Sequence, residues 1–184
     1  ASRLMQLHEI EAISKIFVDL GVTKIRLTGG EPLVRKDAKE IISALSKLPV
    51  KLTLTTNATR LHEFVDTLEQ AKIMSLNISL DTLQADKFNL ITRRDQHKLV
   101  YDNIQLMMSR GFHVKVNMVV MKGLNETEIN DFVEWTKDEP VHVRFIEFMP
   151  FTGNKWENEK VFTLNEMLEV ISSRYDILPS EKEK

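Results

Sequence analysis

Four segments of this chain alternate between apolar and polar side chains. In residues 24–28, Ile25 and Leu27 alternate with Lys24, Arg26 and Thr28. In residues 51–55, Leu52 and Leu54 alternate with Thr53 and Thr55. Residues 75–80 set Leu76, Ile78 and Leu80 against Asn77 and Ser79, with Asp81 following, and residues 114–120 set Val114, Val116 and Met118 against Lys115 and Asn117. Successive side chains of a strand point to opposite faces, so each segment reads as a strand with one apolar and one polar face. Residues 141–148 form a fifth extended segment whose parity is ambiguous. Val143, Phe145, Glu147 and Met149 share one face, and Arg144, Ile146 and Phe148 share the other.

Helical spacing fills the intervals. Leu7, Ile10, Ile13, Phe17 and Leu20 recur at helical period before Gly21, and residues 37–48, 61–71, 98–110 (before Gly111), 127–136 and 164–173 read as further helices. Alternating β and α units predict an α/β fold with a parallel sheet and right-handed crossovers. Two architectures remain, an open doubly wound sheet and part of a (β/α) barrel. A strand covered by helices on both faces reads as a continuous apolar run, which these four do not. The prediction is a partial (β/α) barrel of about five parallel strands with outer helices, its polar lumen serving as the binding site. The competing reading is an open sheet with one face in water, less favoured because the alternation recurs in four consecutive strands.

The predicted polar face gathers Arg26, Lys115 and, depending on parity, Arg144, with Thr28, Thr55, Asn77, Ser79 and Asn117. Like charges in a partly desolvated cavity repel unless an anion compensates them. The ligand expected is a polyanion such as a nucleoside triphosphate, since guanidinium groups suit phosphate through paired donors. The alternative is that each cation pairs with a carboxylate such as Glu31, Asp81 or Glu147. Thr28-Gly29-Gly30-Glu31-Pro32 closes the first strand. Two glycines there permit close approach of backbone to a ligand at the strand end where barrels bind substrate.

Composition narrows the classes. The 184 residues are 42% hydrophobic and 28% charged, enough to build one core, and the net charge of −2 offers no overall basic field for nucleic acid. No apolar run reaches the length of a membrane span, and the first residues lack the apolar core of a secretion signal. The absence of cysteine excludes disulfides and thiolate-held metals within these residues, so no metal ligand is assigned. Residues 1–178 are read as one domain and 179–184 as a polar tail.

Residues 24–33, Lys-Ile-Arg-Leu-Thr-Gly-Gly-Glu-Pro-Leu, resemble the Gly-Gly-Glu-Pro motif of radical S-adenosylmethionine enzymes. The preceding Lys-Ile-Arg is similar to the form found in the GTP 3′,8-cyclase family of molybdenum cofactor synthesis. Leu54-Thr55-Thr56-Asn57, Asn77-Ile78-Ser79-Leu80-Asp81, Val114-Lys115-Val116-Asn117, Lys122-Gly123-Leu124-Asn125, Arg144-Phe145-Ile146-Glu147-Phe148-Met149-Pro150 and Gly153-Asn154-Lys155-Trp156 resemble that family in order. The resemblance implies an incomplete (β/α)6 barrel. It implies S-adenosylmethionine near Gly30, Ser79 and Met149, and GTP held by Arg26, Thr55, Lys115 and Arg144, with no catalytic side chain assigned.

In the implied reaction an electron from a [4Fe–4S] cluster cleaves S-adenosylmethionine. The deoxyadenosyl radical takes the ribose C3′ hydrogen of GTP, and the sugar radical attacks C8 to give 3′,8-cyclo-7,8-dihydro-GTP. The family's cluster cysteines lie in segments flanking the region matched here, so the chain as given is expected to be inactive alone. A fragment of a longer protein is the favoured explanation of that lack. The alternatives are an engineered core, a cluster-less nucleotide-binding module on the same scaffold, or another radical enzyme. Implied partners are an electron donor and the cyclic pyranopterin monophosphate synthase acting next, with a homodimer left open. No nucleic acid or membrane partner is expected. The implied location is cytoplasmic in a bacterium or mitochondrial in a eukaryote, and not secreted. Ala58 stands where the family usually has glycine, so a turn needing positive φ there is expected to be mildly strained.

Overall fold

The computed structural model describes residues 4–149 and 158–179. The helices are α1 (Leu7–Asp19), α2 (Ala38–Leu45), α3 (Val65–Gln70), α4 (Ala85–Thr92), α5 (His97–Ser109), α6 (Ile129–Asp138) and α7 (Leu164–Ser172). The strands are β1 (Lys24–Leu27), β2 (Lys51–Thr56), β3 (Ser75–Ser79), β4 (His113–Val120) and β5 (Val141–Glu147), forming one sheet in the order β1-β2-β3-β4-β5. Strand follows helix along nearly the whole chain, as the alternation of periods predicts.

The chain forms two compact units, residues 1–79 with 98–115, and residues 80–97 with 116–184. In the first, β1 and β2 run parallel with Lys24 opposite Lys51, Ile25 opposite Leu52, Arg26 opposite Thr53 and Leu27 opposite Leu54. β2 and β3 are also parallel, with Leu54 opposite Leu76, Thr55 opposite Asn77 and Thr56 opposite Ile78. Leucines and isoleucines therefore line up on one face. Leu52, Leu54, Leu76 and Ile78 are buried there, together with Ile41, Ile42 and Leu45 of α2, Leu68 of α3, and Val100, Ile104 and Met107 of α5. Burying a leucine or isoleucine stabilises by about 1.5–3 kcal/mol each, so this face sets the register. A slip of one residue would place the threonines in the core.

The helix expected at 61–71 is divided. A 3-10 turn, Leu61–Glu63, precedes α3, and Phe64 between them takes φ −118°, ψ 0°. Phe64 is 3% exposed, so its burial outweighs helical continuity there. Gly111, at φ +78°, ends α5 and turns the chain into β4.

The second unit contains α4, which the apolar periodicity does not mark because Phe88 is its single buried residue. Its end is set locally: Thr92 Oγ1 donates to Phe88 O at 2.7 Å, and Arg93 takes a left-handed conformation at φ +58°. Phe132 of α6 packs edge-on against Trp135, at 6.1 Å between ring centroids, and against Phe145 of β5, at 6.4 Å. Thr163 and Glu166 close a capping box at the start of α7. Lys122 Nζ donates to Glu166 Oε1 at 3.1 Å.

Candidate functional site

In the first unit the polar parity is built as the alternation predicts. Arg26 stands on β1 beside Thr53, and Thr55 on β2 stands beside Asn77. His113 N donates to Met74 O at 2.8 Å, and Leu80 N donates to Asn117 O at 3.1 Å. The two bonds keep one parallel offset, which places Lys115 beside Asn77. Thr55, Asn77 and Lys115 thus form a row across adjacent strands, about 4.8 Å apart per strand. Arg26 lies one step lower on β1. Arg26 is exposed, Thr55 and Lys115 are half-buried, and Ser79, at the end of β3 on the same parity, is exposed. Arg26, Gly30, Thr55, Ser79 and Lys115 all fall within this unit.

The two cations on this face have no acidic partner. Neither the Arg26 nor the Lys115 side chain makes a hydrogen bond or ion pair to another described residue. The carboxylates considered as partners are used elsewhere. Glu31 Oε1 accepts from Leu33 N at 3.0 Å and from Thr56 Oγ1 at 2.8 Å, and its Oε2 accepts from Asn57 N at 2.6 Å. It ties the loop after β1 to the end of β2. Asp81 accepts from Val119 N at 2.9 Å, and Glu147 accepts from Leu164 N at 2.5 Å. None of the three forms an ion pair with Arg26 or Lys115, and a backbone amide donates to at least one oxygen of each.

The loop Gly29-Gly30-Glu31-Pro32 is shaped by its first glycine, which sits at φ +139°, a region L side chains rarely adopt. Gly30 is exposed, and a Cβ built on it would meet nothing within 4 Å. The face of this loop is thus open for a ligand to approach the backbone. Behind it runs a chain of polar contacts that the sequence pattern does not reveal. Ala58 N donates to Thr56 Oγ1 at 3.1 Å, Asn103 Nδ2 to Ala58 O at 2.7 Å, and His62 Nδ1 lies 3.1 Å from Asn103 Oδ1. Ala58 takes φ +64° and is fully buried, the left-handed turn expected after Thr-Thr-Asn.

Arg144 and Met149 belong to the second unit. The ambiguity of β5 is resolved there. Phe145 packs on Phe132 of α6, so the parity of Val141, Val143 and Phe145 faces the helix, and Arg144 shares the exposed parity with His142. Met149 is 61% exposed at the end of this stretch. Pro150 and the Gly153-Asn154-Lys155-Trp156 motif lie outside the described residues. Two polar residues of this unit, absent from the sequence-based site, prove architectural. Glu128, 1% exposed, accepts from Thr82 Oγ1 at 2.7 Å and Leu83 N at 2.8 Å, and pairs with Lys87 Nζ at 3.0 Å. Asn125, fully buried, bridges Asp81 O and Val119 O and accepts from Met121 N. Burial raises the Asp81 carboxyl above its ordinary range, partly countered by the Val119 amide.

Among the described residues no cluster of three His, Asp or Glu could hold a metal ion. The chain has no cysteine. Its own residues therefore do not fit an iron–sulfur cluster, which is held by thiolates.

Comparison with known proteins follows the same lines. The family described as the Radical SAM superfamily matches residues 1–136. Molybdenum cofactor biosynthesis protein 1 of Dictyostelium discoideum is 47% identical over 178 residues, covering 95% of this chain and 28% of that protein. The mitochondrial GTP 3′,8-cyclase of Arabidopsis thaliana is 47% identical over 176 residues, 94% of this chain and 45% of that protein. The GTP 3′,8-cyclase of Staphylococcus haemolyticus is 38% identical over 180 residues, 96% of this chain and 53% of that protein. The chain thus spans between 28% and 53% of the length of these relatives. Among solved structures, Streptococcus suis SuiB bound to the precursor peptide SuiA superposes with TM-score 0.74 at 20% identity, over 93% of this chain and 39% of that one. SuiB bound to S-adenosylmethionine superposes with TM-score 0.69 at 20% identity, over 92% of this chain and 40% of that one. At these identities the structural likeness bears on the fold, a partial β/α barrel with one five-stranded sheet.

Proposed function

Since the chain belongs to the radical SAM superfamily, we propose that it is the nucleotide-binding part of a GTP 3′,8-cyclase, the enzyme that opens molybdenum cofactor synthesis. The observation that carries this reading is the polar face of β1 to β4. It presents Arg26 and Lys115 without acidic partners, beside Thr55 and the open Gly29-Gly30 loop. High identity to cyclases of two kingdoms supports the substrate.

In this reading Lys115 and Arg26 bind the phosphates of GTP, and Thr55 donates to or accepts from the same nucleotide. Gly30 and Ser79 hold S-adenosylmethionine, the open Gly30 backbone offering amide and carbonyl groups to its polar end. When bound, S-adenosylmethionine supplies the radical that removes a hydrogen atom from the substrate. What these side chains contribute is position: anchoring charged ends fixes the reacting carbons at contact distance and keeps water away. The iron–sulfur clusters of the proposed enzyme take their ligands from outside these 184 residues, because none of the residues is a cysteine.

An electron donor and the synthase that consumes the cyclised product complete the proposed partners. The compartment proposed is mitochondrial for a eukaryotic source and cytoplasmic for a bacterial one. Among the described residues no helix is long and apolar enough to cross a membrane.

The test is calorimetric titration of the full-length protein with GTP, paired with detection of 3′,8-cyclo-7,8-dihydro-GTP. GTP binding that is weakened in Lys115→Ala, together with product formation, is the expected result. Binding of GTP without turnover would leave a nucleotide-binding module. Turnover of another substrate without GTP binding would overturn the reading.

A further inference from the structure

Gly29 and Gly30 make no backbone hydrogen bond to another described residue. β1 fixes them on one side, and on the other the Glu31 side chain does. Two of the hydrogen bonds it accepts come from the end of β2, from Thr56 Oγ1 at 2.8 Å and from Asn57 N at 2.6 Å. Arg60 adds a third tie between the same two loops, donating from a guanidinium nitrogen to Leu33 O at 2.9 Å. The open loop is thus carried by the turn after β2 and keeps its place only as well as that turn does.

That turn has an anchor of its own. Ala58, fully buried, sits in it at φ +64°, a conformation costly for an L side chain. Both of its backbone groups are held: its N donates to Thr56 Oγ1 at 3.1 Å, and its O accepts from Asn103 Nδ2 at 2.7 Å. Asn103 comes from α5 and is buried, as is Thr56. A carbonyl only accepts, so the Asn103 amide nitrogen faces Ala58 O and its Oδ1 is left to accept from His62 Nδ1 at 3.1 Å. Both ends of the amide are therefore used. The other buried residues of α5, Val100, Ile104, Met107 and Met108, are apolar, so packing alone does not call for an asparagine here. A residue in a strained conformation persists where its surroundings over-determine it, and such residues gather at ligand clamps.

We infer that Asn103 and Thr56 are positioning residues for the Gly29-Gly30 loop. They act through Ala58 and Glu31 and touch no ligand themselves. Asn103 holds Ala58 O and with it the left-handed turn. The turn aims Ala58 N at Thr56 Oγ1, which accepts that proton and has its own left to donate to Glu31 Oε1. Glu31 then sets the loop whose exposed Gly30 backbone meets the polar end of S-adenosylmethionine. Every member of this relay lies in the first unit. The inference rests on the reading above that Gly30 serves that ligand, and it adds the residues that hold Gly30 in place for it.

The experiment uses the full-length protein with its clusters, under anaerobic conditions, and its Asn103→Leu, Thr56→Val and Thr56→Ser variants. Leucine keeps the branched shape of asparagine, and valine that of threonine, while the hydrogen-bonding groups are lost. Two quantities are measured: the affinities for S-adenosylmethionine and for GTP, and amide hydrogen exchange across residues 29–33 without ligand. Asn103→Leu and Thr56→Val are each expected to weaken S-adenosylmethionine roughly tenfold, the scale of one lost hydrogen bond. GTP affinity is expected to stay within about twofold, and exchange across 29–33 to become faster. Thr56→Ser, which keeps the hydroxyl, is expected to restore both. Should Asn103→Leu fail to fold, Thr56→Val decides by the same criteria. Unchanged exchange overturns the positioning role, as does unchanged S-adenosylmethionine affinity in a protein that binds it. An equal loss of GTP affinity also overturns it, since a merely structural role moves both ligands together. Faster exchange, restored by Thr56→Ser, in a protein that binds no S-adenosylmethionine would uphold the relay and defeat the reading of Gly30.

Discussion

A buried carboxylate of the second unit and the cations on the sheet face of the first are treated in opposite ways. In the second, Glu128 is buried, yet every contact it makes is compensated, by Lys87, the Thr82 hydroxyl and the Leu83 amide. In the first, Arg26, Lys51 and Lys115 stand on a sheet face whose strands carry no carboxylate. A charge with a complete set of partners is architecture. Cations gathered on one strand face with no carboxylate among the strands are a candidate site. The same criterion reassigns Glu31, a member of the motif that suggests ligand binding. Its three accepted hydrogen bonds make it a clamp between the loop after β1 and the end of β2.

The largest effect expected from this contrast lies in the second unit. Removing one member of a buried ion pair leaves the other uncompensated, at a cost of about 3–5 kcal/mol. Glu128→Ala is therefore expected to lower unfolding stability by that amount in urea denaturation, with Lys87→Met costing less because Lys87 is partly exposed. A loss below about 1 kcal/mol for Glu128→Ala would place Glu128 outside the architecture and break the comparison.

Next come Arg26→Ala and Lys115→Ala, expected to do the reverse. Each is predicted to weaken GTP binding by about 1.5–3 kcal/mol, one charged hydrogen bond, while changing unfolding stability by less than about 0.5 kcal/mol. If both variants bind GTP normally, the unpaired cations are not the site. If both lose stability instead, the charges are structural in this unit too.

How much of this was legible in the sequence depends on which physics was at work. Strand parity was, because Ile25, Leu52, Leu54, Leu76 and Ile78 alternate with polar residues and burial enforces the register. Parity alone placed Arg26, Thr55, Ser79 and Lys115 on one face. The parity of β5 was not, since Phe145 and Ile146 are both apolar. It took the Phe132 ring to fix Arg144. Nor could composition show that Thr53 and Asn77, on the polar parity, are buried at 3% and 4% exposure. The hydrogen-bonding roles of Asn103, Asn125 and Glu128 arise between residues far apart in the chain, and no local pattern announces them. α4 escaped because a helix with one buried residue has little apolar periodicity to display.

A pH titration sharpens the contrast within the second unit. Burial raises the Asp81 carboxyl above its ordinary value, so the folded state holds that proton more tightly than the unfolded chain does. The ionised form thus costs stability at neutral pH, and the cost is relieved as pH falls through the raised value. Glu166 behaves oppositely. The Thr163 amide and hydroxyl, with Lys122, lower its carboxyl to about 2. Its contribution is present above the unfolded carboxylate value and fades as pH drops toward about 2. Asp81→Asn keeps an oxygen for the Val119 amide and removes the ionisation. It is expected to flatten the stability profile just above the ordinary aspartate range and to leave the acid limb set by Glu166 in place. An unchanged profile in Asp81→Asn would show that Asp81 is solvated in the folded state.

The smallest effect is expected at Ala58, where two opposing terms are close in size. The residue is fully buried, and deleting its methyl forfeits about 0.8 kcal/mol of burial. Its φ of +64°, however, lies in the left-handed region. There an alanine is less stable than glycine by about 1 kcal/mol, even after glycine's greater freedom in the unfolded chain is counted. Ala58→Gly should therefore change unfolding stability by no more than about 0.5 kcal/mol, far less than a core truncation usually costs. The turn itself is held by Asn103 Nδ2 on Ala58 O and by Thr56 Oγ1 on Ala58 N, bonds that glycine preserves. A loss above about 1 kcal/mol would mean that methyl packing, rather than backbone geometry, fixes this end of β2. The clamp from Glu31 to Thr56 would then rest on side-chain packing at Ala58 as well as on the hydrogen bonds described.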